Sequence, residues 1–291
     1  MDYQEKGILK PSMKLNPIGI LQGRLIPSPS GKLQVFPVDR WEEEFSLAST
    51  LGFQGIEWLL EAETGDQNPL WQKESWPRIE DLMKNQGMEI PSVCADYVQS
   101  SHLSSQSGIT PQRWAGRLAS AVEAAGNLGA RCVLVPAMEQ ALQPRSKAQE
   151  ALIRGLAPAL DRALQWGVKV GLEMEWPAEE QAGLVEQIGH PAAGVYYDLG
   201  NATSRGFQLG RDIRLLGGTL VGVHVKDRKI HGPSVPLGQG DTDFTAAFQA
   251  LQEIEYEGPF ILETPRGTDP LSAARENLAF VRQALNATGI Q

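Results

Sequence analysis

The sequence predicts an α/β fold, a single-domain (β/α)8 TIM barrel, on three observations. Short apolar runs recur along the whole chain, a segment of helical period follows each, and 291 residues with 42% hydrophobic content suffice for one large core. The runs are Ile18–Gln22, Gly55–Leu60, Glu89–Tyr97, Cys132–Met138, Lys169–Met174, Gly194–Gly200, Leu220–Asp227 and Gly258–Thr264. Their spacing leaves room for one helix each, a βα unit taking roughly 30 residues. Uninterrupted stretches such as VGVHV and CVLVP suit strands covered on both faces, as in a parallel sheet. Eight such units in one chain favour a closed barrel over an open sheet.

The intervening segments carry helix signals. Asp39–Leu51 opens on a candidate capping aspartate and ends before Gly52, a residue suited to a helix stop. Thr110–Leu128 begins Thr-Pro, an N-cap followed by proline in the first turn. Ser146–Trp166 and Pro270–Leu285 place apolar residues three and four apart. In PLGQGDTDF, Gly238 and Gly240 read as a tight turn before a helix capped by Asp241 or Thr242, since the full glycine-rich phosphate fingerprint is missing. No linker interrupts the alternation: residues 1–15 read as a flexible leader and 16–291 as the barrel domain.

Composition narrows the function. A formal net charge of -9 repels phosphate backbones and anionic lipid, so neither nucleic acid nor a membrane surface is an expected partner. No apolar run approaches the roughly 20 residues of a spanning helix, and the first residues lack a secretory core. The cytoplasm is the expected location. Cys94 and Cys132 lie in apolar runs and read as buried free thiols.

Parallel barrels build their chemistry where strands end. Four late runs end in side chains able to hold a metal: Glu173 in VGLEMEW, Asp198 in VYYDLGN, His224 in VGVHVKD and Glu263 in FILETPR. A buried charge is expensive without a partner, and four on successive strands converge on one point. Two glutamates, an aspartate and a histidine make an oxygen-rich donor set, suited to one divalent ion. Manganese is the first choice, with magnesium, cobalt or zinc as alternatives. Glu57, His102, Asn201, Lys226 and Arg266 also stand near strand ends and are expected to reach a substrate. Gln22, Arg24, Asp96, Tyr97 and Asp227 are further strand-end polar residues.

These motifs resemble the xylose-isomerase-like barrels of sugar-phosphate isomerases and epimerases, nearest the pentulose-5-phosphate 3-epimerase and hexulose-6-phosphate isomerase group. VGVHVKDRKIHGPSVPLGQGDTDF at 221–244 carries most of the likeness, with LEMEW at 172–176, YYDLGN at 196–201 and FILETP at 260–265. GIEW at 55–58 and PSVCADY at 91–97 extend it more weakly. The resemblance implies that Glu173, Asp198, His224 and Glu263 hold one ion and that Glu173 and Glu263 exchange a substrate proton next to a sugar carbonyl, through a metal-stabilised enediolate. It implies an isomerase of carbohydrate metabolism acting on a sugar or sugar phosphate, and a homo-oligomer. Some ketose 3-epimerases carry histidine three residues after the metal aspartate. Asn201 stands there in this chain, which sets it nearer the sugar-phosphate branch or another one. An inosose-type dehydratase and a non-catalytic sugar-binding barrel are the alternatives.

Overall fold

Eight parallel strands close into a barrel in the computed structural model, which describes residues 16–28, 31–100, 111–137 and 145–289. In chain order these strands are β1 (Ile18–Leu21), β2 (Gly55–Leu59), β3 (Ser92–Cys94), β4 (Cys132–Pro136), β5 (Lys169–Glu173), β6 (Ala193–Asp198), β7 (Leu220–Val225) and, after a short hairpin, β10 (Phe260–Leu262). Each pairs with the next, and β10 pairs with β1 to close the ring. Every run expected from the sequence coincides with one barrel strand, most of them a few residues shorter; β6 begins one residue earlier than its run, and the run Leu220–Asp227 ends on the first residue of a small hairpin. The leader 1–15, Thr110 and Met138 lie outside the described residues.

Helices α1 (Trp41–Leu51), α2 (Trp76–Gln86), α4 (Pro111–Asn127), α5 (Arg145–Trp166), α6 (Ala178–Ile188), α8 (Leu209–Leu216), α9 (Phe244–Glu253) and α10 (Pro270–Thr288) alternate with the strands. Two short helices lie at strand ends: α7 (Leu199–Ser204) follows β6 directly and α3 (Tyr97–Ser100) follows β3 after two residues. Helix α1 stops where expected, with Gly52 in the left-handed region at φ 94°, a conformation that suits glycine. Its N-cap is Arg40, with no side-chain bond, rather than Asp39. Helix α9 likewise differs from expectation. Asp243 caps it through Ala246 N–H at 2.9 Å, because Asp241 is drawn to Ile230 N–H and Thr242 to the end of β7.

The tight turn read from Gly238 and Gly240 has a specific cause. Strands β8 (Asp227–Arg228) and β9 (Ser234–Val235) form a small antiparallel hairpin, and buried Asp227 gathers the chain that follows it. Its carboxylate accepts N–H bonds from Gly238 at 2.9 Å, Gly240 at 2.8 Å and Thr242 at 3.2 Å. A Cβ on Gly240 would lie 1.9 Å from Asp227 Oδ1, so only glycine allows this approach. The amide cluster that suggests half a phosphate loop is filled by the chain's own carboxylate.

Inside the ring, Tyr196 of β6 fills the space beside Gly222 of β7, its register partner. A Cβ on Gly222 would stand 2.2 Å from Tyr196 Cε2. Gly222→Ala should therefore overpack the interior and lower stability by about 1–3 kcal/mol, read as a lower midpoint in chemical denaturation. An unchanged midpoint would show that the ring can move aside freely.

Candidate metal centre and active-site cavity

Four neighbouring strands deliver the cluster. Glu173 ends β5, Asp198 ends β6, His224 is the last residue but one of β7, and Glu263 follows β10 directly. All four side chains are buried, and one ligand atom from each lies within 4.8 Å of the others. His224 Nδ1 stands 3.2 Å from Glu263 Oε2, 3.8 Å from Asp198 Oδ2 and 3.9 Å from Glu173 Oε1. Chain alternation explains the convergence: one inward residue at the same height on each strand faces the barrel axis.

His224 is aimed from below. Its Nε2 lies 2.7 Å from Glu57 Oε1, while Ser92 Oγ at 2.5 Å and Tyr196 OH at 2.7 Å donate to Glu57 Oε2. Glu57 is wholly buried and both its oxygens are engaged, so its place is beneath the cluster rather than against a substrate, contrary to the sequence expectation. An Nε2–H held by this carboxylate turns Nδ1 toward the other three ligands, where a bound ion would take its lone pair. The edge of Tyr196 packs on the imidazole, with ring centroids 4.6 Å apart.

Each remaining acid has its own restraint. Asp198 Oδ1 accepts Asn201 N–H at 2.7 Å as the N-cap of α7, and Asn201 Nδ2 donates to Glu173 Oε1 at 3.0 Å. Arg228 holds Asn201 in turn, Nη1 to Oδ1 at 3.0 Å. Glu263 Oε1 accepts from Gln34 Nε2 at 2.9 Å and Arg24 Nη2 at 3.4 Å. Lys226 Nζ stands 2.7 Å from Glu263 Oε2 and 2.9 Å from Asp198 Oδ2.

These neighbours divide the two glutamates. Burial lifts Glu173 to about 7, against the pull of His224. Burial would raise Glu263 too, but Lys226, His224 and Arg24 hold it well below the usual carboxylate range. Burial also lifts Asp198, with Lys226 opposing. For His224, burial pulls downward, and the carboxylates of Glu57, Glu263 and Glu173 more than offset it.

The donor set fits a divalent cation. Asp198 Oδ2 and His224 Nδ1 are buried and make no hydrogen bond; Lys226 approaches that oxygen as an ion pair only. Unsatisfied buried acceptors are costly, and both point into the one cluster where an ion would satisfy them.

Above the cluster lies a cavity of about 230 Å³, lined in part by Gln34, Asp96, Glu173, Glu175, Lys226 and Glu263. Asn201 and His224 also line it. Of the residues expected to meet a substrate, Asn201 and Lys226 are thus in the wall. Arg266 is elsewhere: its Nε bonds Gly23 O at 2.5 Å and its Nη1 bonds Lys32 O at 2.8 Å, clamping the loop after β1. His102 lies outside the described residues. Sequence reasoning missed Gln34, which arrives from a loop with no pattern, and Glu175, which the strand alternation of Glu173 could have revealed.

A model of the family described as xylose isomerase-like TIM barrel matches residues 45–284. The L-ribulose-5-phosphate 3-epimerase UlaE of Salmonella paratyphi A is 25% identical over 255 residues, spanning 85% of this chain and 86% of that protein. UlaE of Escherichia coli K12 is 24% identical over 285 residues, spanning 94% and 96%. Among solved structures, an L-ribulose 3-epimerase superposes with a TM-score of 0.72 at 19% identity, covering 94% of this chain and 96% of its own. The 3-keto-D-glucoside 4-epimerase YcjR of E. coli does so at 0.68 and 18%, covering 92% and 99%. At such identities the structural likeness bears on the fold. No helix among the described residues is long and apolar enough to cross a membrane.

Added divalent ion should stabilise the protein by about 2.7 kcal/mol at a hundredfold excess over Kd, read as a rise in the unfolding midpoint. Asp198→Ala should abolish that rise. Glu57→Gln, which touches no ligand site except through His224, should weaken ion affinity roughly 10–100-fold by calorimetry. An ion-dependent rise surviving Asp198→Ala would place the ion elsewhere.

Proposed function

The chain belongs to the xylose isomerase-like TIM barrel family, and we propose that it is a divalent-metal-dependent ketose 3-epimerase. One observation carries the reading: two glutamates, Glu173 at the end of β5 and Glu263 just after β10, line a single cavity and meet at the cluster they share with Asp198 and His224. Two carboxylates set at one reacting carbon can serve as acid and base together. The relatives support the choice of reaction, UlaE being by name a 3-epimerase. The cavity, about 230 Å³, lies just below the roughly 300–1,000 Å³ of typical ligand pockets and suits a monosaccharide better than a nucleotide.

Inverting a carbon beside a carbonyl needs proton removal on one face and proton return on the other. Glu263, held ionised by Lys226 and Arg24, is the base. Glu173, steadied by Asn201, delivers the proton that the opposite face receives; in the reverse direction the roles exchange. An ion bound by Glu173, Asp198, His224 and Glu263 would supply Lewis acidity to the carbonyl and the neighbouring hydroxyl. Manganese is our first choice among divalent ions, for the three carboxylates in the set. Lys226, between Asp198 and Glu263, adds fixed positive charge where negative charge develops. We place the enzyme in the cytoplasm, in keeping with two buried free cysteines.

Glu173→Gln or Glu263→Gln keeps size and one oxygen ligand but removes proton exchange, so turnover of ketoses should fall roughly 10²–10⁴-fold with ion binding partly retained. In deuterated water the wild type should place deuterium on the carbon beside the carbonyl. Product free of solvent deuterium would rule out the two-glutamate reaction, and loss of water from the substrate, seen by mass, would make the enzyme a dehydratase instead.

A further inference from the structure

Asp96 stands in the turn two residues beyond β3, and alternation sets Ser92 and Cys94 on the same face of that strand. That face points inward. Ser92 donates to Glu57 deep in the barrel, and Cys94 and Asp96 both line the cavity above the cluster. The Asp96 side chain is half-buried, yet it has no hydrogen-bond or ion-pair partner among the described residues. Burial first, then Glu263 and Glu61, lift it to about 6, with Arg24 opposing.

Other polar residues of the wall are committed. Glu175 is paired with Arg205 at 2.5 Å and Arg228 at 3.9 Å. Among the described lining residues the basic side chain is Lys226, engaged by Asp198 and Glu263. Gln34 is turned to Glu263. Asp96 thus offers the cavity acceptor oxygens that no described residue engages. An acceptor of this kind is satisfied by hydroxyl donors, two of which a carboxylate can take at once. A phosphate ester brought to the same wall would set a dianion against Asp96, Glu175 and Glu263.

We propose that Asp96 is a specificity-determining residue: it accepts hydrogen bonds from the hydroxyls of the sugar and selects ketoses without a phosphate ester. The inference rests on the ketose reading of the cavity and deepens it. It also separates this chain from UlaE, whose name gives a phosphorylated pentulose as substrate.

The test compares D-ribulose, L-ribulose and D-xylulose with their 5-phosphates on the manganese-loaded full chain. Binding is followed by calorimetry and turnover by uptake of solvent deuterium. The wild type should favour the free ketoses. Asp96→Asn keeps the size of the side chain and removes its charge, and should weaken free-ketose binding and lower kcat/KM by roughly 10–100-fold. The phosphates should lose nothing or improve, so the preference narrows at least tenfold, a change that general destabilisation would not produce. Asp96→Ala should act in the same direction. A wild type that prefers the phosphates, or a preference unmoved in both variants, would overturn the proposal while leaving any observed epimerisation intact. Asp96-dependent binding of free ketoses without turnover would support the role of Asp96 and sink the epimerase reading. Failure to bind any of the six sugars would overturn both.

Discussion

The 2.7 Å contact between Glu57 and His224 lies where no water can replace it, and the arrangement above it depends on that contact. A histidine ligand can present either ring nitrogen, and the hydrogen bond to one decides which remains free. Glu57 makes the decision, and is itself fixed by Ser92 and Tyr196. Tyr196 in turn needs the room that Gly222 leaves for its ring. The line of dependence runs from a missing side chain in β7 to the direction of a lone pair at the barrel mouth.

Charge is the second constraint. Glu173, Asp198 and Glu263 converge in a place that would strongly disfavour three bare carboxylates. Lys226, His224 and Arg24 supply the compensation within the protein, and they do so unevenly. Lys226 and Arg24 lean chiefly on Glu263, whereas His224 is the main opposing charge on Glu173, which also takes the amide of Asn201. This asymmetry is what distinguishes two residues of identical chemistry, and it arises from which side of the ring each strand occupies.

The sequence made the barrel legible because each strand is a short apolar run set between helix-period segments. It made the four-residue cluster legible because each late strand carries one metal-capable residue near its C-terminal end. Glu57 was misjudged for a reason the same logic contains. It is the third residue of the five in β2, and so sits a layer deeper than Glu173, the last residue of β5. Arg266 stands close to Glu263 in the chain, but its backbone leads it away to the loop after β1. Gln34 carried no signal at all, since a loop residue has no period to betray its direction. The helix cap at Asp243 was missed because Asp241 and Thr242 serve the hairpin, a long-range demand that local capping rules do not see.

Asp198 joins the cluster to the outside of the molecule. One of its oxygens fixes the start of α7, while the other faces His224 and Lys226. Helix α7 is six residues long, about 9 Å at 1.5 Å per residue. At its far end the Ser204 carbonyl accepts the N–H of His231 at 2.9 Å, in the exposed turn between β8 and β9. The helix is therefore a strut: its inner foot is set by the donor atoms, and its outer foot anchors a loop that solvent can reach. A probe attached to that turn would sit at the far end of the short helix that Asp198 caps.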